Sequence, residues 1–174
     1  LDTACLEAAW DALAALDGQT GNDLPAPLAG ETGNFTVTGG TLETDYSYGN
    51  NTLTISSSEA LIISGVTTTD KIVIQGGVTA NVTIDGLTID VTSGNAIDIQ
   101  SGATLNLTLS GKNTLYPESQ KAGIRVPNGA ALNISGIGSL DVHGGRNGGD
   151  PGGAGIGADR SGSLGVIRIS GGDI

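Results

Sequence analysis

The chain is poor in the residues that usually carry chemistry. Its 174 residues include one cysteine, one histidine, one tryptophan, one phenylalanine, three tyrosines and no methionine. Cys5 has no second cysteine to pair with, so an internal disulfide is excluded. The lone histidine, His143, argues against a zinc site built on several imidazoles. Basic residues are scarce as well: seven Lys and Arg against eighteen Asp and Glu leave a formal charge of −11. Nucleic acid needs a Lys/Arg face for its phosphates, and seven scattered cations do not make one. The acidic balance suits cations, and it disfavours an acidic polysaccharide unless a metal bridges the two. No run is long and apolar enough to read as a membrane span.

What the chain does have is glycine, threonine, serine and asparagine arranged around a recurring phrase, apolar-x-apolar-x-Gly. It appears as Phe35 to Gly39, Leu61 to Gly65, Val82 to Gly86, Leu107 to Gly111, Leu132 to Gly136 and Ile167 to Gly171, with starts separated by 26, 21, 25, 25 and 35 residues. Recurrence at such intervals is the mark of a repeat architecture whose units bury their apolar faces against one another. Further short segments accompany each phrase, among them Leu53 to Ile55, Ile72 to Ile74, Leu87 to Ile89, Ile97 to Ile99, Ile124 to Val126 and Leu140 to Val142. All alternate with period two, which sends apolar side chains to one side and Thr, Asn, Asp, Arg or Lys to the other.

The expected fold is therefore all-β: a right-handed single-stranded parallel β-helix of roughly six coils, each strand pairing with its equivalent one coil later. The glycine closing each phrase is expected to supply a positive φ or a close approach at a corner. Residues 1–17, with Leu6, Trp10, Leu13 and Leu16 on one stripe, read as an N-terminal capping α-helix that stops at Gly18. Residues 18–33, with Pro25 and Pro27, read as a connector, and 34–174 as the β-helix, expected to continue beyond Ile174.

Three groups of residues are candidates for function. The loop from Asp45 to Asn51 concentrates Tyr46 and Tyr48 beside Asp45 and Asn50, joining flat faces to directional polar groups as sugar recognition requires. Tyr116 is expected on the same side. The glycine-rich stretch from His143 to Arg160 accounts for the long interval, and an insertion on a rigid scaffold is where binding groups reside. Its polar candidates are His143, Arg146, Asn147, Asp150, Asp159 and Arg160. Asp85, Asp90 and Asp98 are a candidate calcium set, with carbonyl oxygens from the glycine-rich corners completing a shell of hard ligands. Aligning the repeats also puts Asp98 beside Arg125, which is ordinary cross-strand charge pairing, and Asp90 in the slot of Asp141.

The run from Gly94 to Leu115, followed by Ala122 to Gly136 and Gly153 to Gly157, resembles the repeats of secreted and wall-attached β-helix proteins of Gram-positive bacteria, carbohydrate-binding-domain proteins with a pectate-lyase-like fold. The resemblance covers about residues 34–174. It implies a secreted or cell-surface module that binds polysaccharide or a surface glycan or mediates adhesion, in some members with calcium. A structural stalk within a large surface protein and a polysaccharide lyase are the alternatives. Lyases of that kind use a basic residue beside an aspartate cluster, and here only Lys112 and Arg125 are near Asp85, Asp90 and Asp98. None of these falls on a lyase motif, so the expectation is a non-catalytic protein.

Overall fold

A computed structural model describes residues 32–146 and 152–174. The expected capping helix over 1–17, most of the connector, Asn147 and Asp150 lie outside the described residues. Every regular element among the described residues is a strand.

The strands form two sheets. One contains β1 (Phe35–Thr38), β4 (Ala60–Thr67), β6 (Thr79–Asp90), β8 (Thr104–Ser110), β11 (Ala131–Gly136) and β14 (Val166–Ile169) in that spatial order. Two further strands, β9 (Lys112–Tyr116) and β12 (Ser139–Val142), extend it sideways, β9 pairing with both β6 and β12. The second sheet runs β2 (Tyr46–Gly49), β3 (Thr52–Ile55), β5 (Lys71–Ile74), β7 (Ile97–Ile99), β10 (Ile124–Arg125) and β13 (Ile156–Gly157).

The expectation of a single-stranded parallel β-helix is corrected by these pairings. The fold is a mixed two-sheet β structure and not a closed solenoid, because both sheets combine parallel ladders with an antiparallel pair. β1 runs against β4, with Phe35 opposite Gly65 and Val37 opposite Ile63. β2 runs against β3, with Tyr46 opposite Ile55 and Gly49 opposite Thr52. The second reversal has a local cause. Asn50 and Asn51 alone connect the two strands, with φ of 51° and 55°. Two consecutive positive φ values make a mirror-image hairpin turn whose twist matches that of the flanking strands, and Asn tolerates that region best after Gly.

Alternation does what the sequence implied. In β6 the side chains of Ala80, Val82, Ile84, Leu87 and Ile89 are buried while their neighbours are not. They join Leu105, Leu107 and Leu109 of β8, Leu132 and Ile134 of β11, and Ile72, Ile74, Ile97 and Ile99 of the second sheet in one apolar core. Five of the six phrase-closing glycines have positive φ: Gly39, Gly65, Gly86, Gly111 and Gly136. At Gly136 a Cβ would collide with the Leu109 carbonyl, so backbone proximity and φ demand glycine together.

Polar side chains complete the framework. On the outer side of the first sheet Asn133 donates to Asn106 and Asn106 to Asn81, each at 2.9 Å, so one row of amides ties three strands together. Inside, the fully buried Asn113 accepts from the Leu87 N–H at 2.9 Å and donates to the carbonyls of Ser110 and Ser139 at 2.8 and 3.1 Å. A single amide thus satisfies backbone groups that would otherwise be orphaned at the bend between successive strands.

Candidate binding surface

One row of outward side chains crosses β6, β9 and β12. Parallel register sets Asp90 beside Tyr116, and Leu115 beside Val142. One residue further on, His143 donates its N–H to the Leu115 carbonyl at 2.9 Å. Leu115 and Ile89 face the core, so period two turns Asp90, Tyr116 and His143 outward in one line. The rings of Tyr116 and His143 stack, with centroids 4.2 Å apart and planes inclined by 19°. Asp141, two residues before His143 on the same face, holds the imidazole from the side at 2.9 Å between Oδ1 and Nε2. The side chains of His143 and Asp141 are about half exposed, and Tyr116 is exposed at its edge. The result is an outward aromatic stack, a platform in which each ring covers one face of the other, leaving the outer face of Tyr116 on the Asp90 side and Asp141 fixed at the His143 side.

A cleft of about 540 Å³ begins two residues after Tyr116 in the chain, lined by Glu118, Ser119, Gln120, Lys121, Asp159, Arg160 and Ser161. Only Pro117 separates Tyr116 from Glu118 in the chain. From the other side, Gly145 donates its N–H to the Lys121 carbonyl at 2.9 Å and accepts from the Gln120 N–H at 3.0 Å. The described part of the glycine-rich segment is therefore bound into the fold by its backbone. Side chains at Gly144, Gly145 and Gly153 would strike the backbone atoms packed against them, which is why this stretch is glycine.

Asp159 is the cleft's anchor. Its Oδ1 accepts from the Ala122 N–H at 2.8 Å and from the Asn95 amide at 2.7 Å, and its Oδ2 faces Lys121 Nζ at 3.4 Å. Burial alone would raise its pKa, but the Ala122 N–H, the Asn95 amide and Lys121 together outweigh it and hold the carboxyl below its ordinary value.

The structure separates the remaining candidates. Tyr46 is 2% exposed and belongs to the core. Tyr48 turns its hydroxyl inward to donate to Asp70 Oδ1 at 2.7 Å. Burial, the bond to Asp70 and the charge of Asp70 push the phenol up to about 12. Asp45 accepts from the Thr41 N–H at 2.8 Å, and Asn50 sits in the hairpin turn. These four residues build the β2 and β3 hairpin, and its rings are not an open platform; Tyr116 lies in the other sheet. Arg146 is exposed beyond Gly145.

The aspartates do not assemble either. Asp98 is on β7 of the second sheet, bound by Arg125 through Nε at 2.6 Å and Nη2 at 3.1 Å. That bond, against the opposing effect of burial, raises the Arg125 pKa, with Asp98 and Asp159 adding to it by charge. Asp85 and Asp90 are five residues apart on β6, on either side of Gly86. Among the described residues no three His, Cys, Asp or Glu side chains are grouped to hold a metal ion. Asp141 aligns with Thr114, and Asp90 with Tyr116, so the two aspartates do not share a slot.

Asp70 escaped sequence reading. It is 1% exposed and accepts from five donors: the Asn34 N–H and amide, the hydroxyls of Thr67 and Thr69, and Tyr48. Burial would raise its pKa, but the bonds from Tyr48, Asn34 and Thr67 outweigh that and lower it. The carboxylate pins the start of β1 and the end of β2 to the turn after β4, a structural role away from the platform. No known protein family, curated protein or solved structure matches the chain.

Proposed function

We propose that this chain is a non-catalytic carbohydrate-binding module, acting outside the cell or at its surface, and that the glycan lies on the Tyr116 and His143 platform with its polar edges toward the cleft that begins after Tyr116. The single observation carrying this reading is the outward stacked pair, 4.2 Å between centroids, on a protein with few aromatic side chains. A sugar ring offers an apolar face of C–H groups and an equatorial rim of hydroxyls. The first packs on a flat ring, and the second needs carboxylates, amides and cations at the border. Asp141, Glu118, Gln120 and Arg160 supply that border. The platform stands on two strands of a continuous sheet, so binding requires little ordering of the site.

Catalysis receives no comparable support. Asp98 is committed to Arg125, and Lys121 to Asp159. The test is retention of the purified chain on a panel of insoluble neutral and acidic polysaccharides, with calcium and with chelator, while the supernatant is assayed for released sugar. Retention without release, lost in the Tyr116→Ala variant, supports the reading. Sugar release, or no retention on any member of the panel, overturns it, the latter leaving a structural scaffold as the better account.

A further inference from the structure

We infer that the glycan bound here carries protonated amino groups, as partly or fully deacetylated glucosamine polymers do; this rests on the carbohydrate-binding reading above and concerns the same platform. Order along the row is the ground for it. Asp90 stands beside Tyr116 on one flank, and Asp141 is fixed to His143 on the other. Asp90 is exposed and, among the described residues, its carboxylate has no partner. His143 covers one face of Tyr116, so a sugar seated on the free face of that ring lies on the Asp90 side and places its substituents beside that carboxylate.

A protonated amine gains there in three ways. It pairs with an unengaged carboxylate, it is drawn to the electron-rich face of the phenol, and it is attracted by a protein of formal charge −11. The nearest cation outward on β9 is Lys112, four residues from Tyr116, about 13 Å along the strand. In the cleft Lys121 pairs with Asp159, and Arg160 lies with them beyond Glu118, outside the row of Asp90 and Tyr116. A uronate in the same place meets the Asp90 carboxylate, and an N-acetylated sugar forfeits the charge interaction while keeping the stacking.

The experiment compares calorimetric binding of soluble glucosamine oligomers, their N-acetylated counterparts and oligogalacturonates of equal length at mildly acidic pH. Wild-type protein is compared with Asp90→Asn, Tyr116→Ala and Asp85→Asn, the last removing one exposed charge elsewhere on β6. The expected result is binding about tenfold tighter for the amino form than for the acetylated form. Asp90→Asn is expected to remove most of that advantage and leave acetylated binding unchanged, while Asp85→Asn changes neither. Equal affinity for amino and acetylated oligomers overturns the inference and leaves the carbohydrate-binding reading standing. Equal losses in Asp85→Asn and Asp90→Asn overturn it too, because attraction by net charge then explains the preference. Binding of none of the oligomers, together with no retention on the insoluble panel, overturns the reading itself.

Discussion

Tyr116 and His143 are 27 positions apart in the sequence, yet their rings stack at 4.2 Å, because β9 and β12 pair in parallel with Leu115 opposite Val142. The contact follows from register alone. Once those two core residues are aligned, the next residue of each strand faces outward and the two rings meet. Since both side chains are largely outside the core, they can be changed without dismantling the sheet.

Tyr116→Ala and His143→Ala are accordingly expected to leave thermal stability close to that of the parent, within about 0.5–1 kcal/mol. Each is expected to weaken glycan retention by about five- to tenfold, the loss of one aromatic contact. Melting curves read beside the binding assay separate the two effects.

Asp70 and Tyr48 predict the response to pH. The Asp70 carboxyl is held below its unfolded value, so its contribution is complete above about pH 4 and disappears as the pH falls through the lower folded value. Asp159 acts in the same direction. The Tyr48 phenol is raised to about 12, so its contribution is complete below about pH 10 and disappears as the pH climbs through about 12. Asp70→Asn is expected to cost about 2–3 kcal/mol at neutral pH and to flatten the acid limb of a plot of Tm against pH. An unchanged acid limb would remove Asp70 from this account.

Asn113→Ala is expected to cost about 2–4 kcal/mol, since it strands the Leu87 N–H and the carbonyls of Ser110 and Ser139 in the interior. Asn113→Asp should be comparably damaging, because a carboxylate cannot donate to either carbonyl. Urea denaturation at neutral pH measures both.

The hairpin gives a prediction of opposite sign. Asn51→Gly keeps the positive φ of 55° without strain and is expected to be neutral or stabilising by up to about 0.5 kcal/mol. Asn51→Val is expected to cost about 1–2 kcal/mol, because a β-branched side chain resists that conformation.

Much of this organisation could be read in the sequence. Alternation identified the core residues of β6 and β8, the phrase-closing glycines marked positive φ, and the slot shared by Asp98 and Arg125 proved to be a two-pronged ion pair. Register was harder. The phrases at Leu107 and Leu132 look equivalent, but Leu107 aligns with Ile134. A slip of two residues keeps every apolar side chain on the core side, so alternation cannot detect it. Asn50 and Asn51 carried a hairpin signal that the repeat pattern obscured, and with it went the idea of uniformly parallel strands. Tyr46 and Tyr48 looked like a sugar platform because aromatics are scarce, yet one is core and the other serves Asp70. Within the glycine-rich insertion His143, Asp159 and Arg160 do reach the candidate surface. Their partners Tyr116, Lys121 and the Gln120 carbonyl come from a neighbouring segment, and only the fold shows that.

Because the chain has one histidine, the imidazole of His143 gives a single, unambiguous set of ring resonances. The most direct test of a glycan seated on the Tyr116 and His143 platform is to follow those resonances by NMR while titrating a soluble oligosaccharide of the kind that competes with retention. The account predicts a saturable shift of the His143 ring signals, with the same affinity as the retention assay and lost in Tyr116→Ala. Saturable binding of the oligosaccharide with the His143 ring signals unmoved would place the ligand elsewhere and contradict the account.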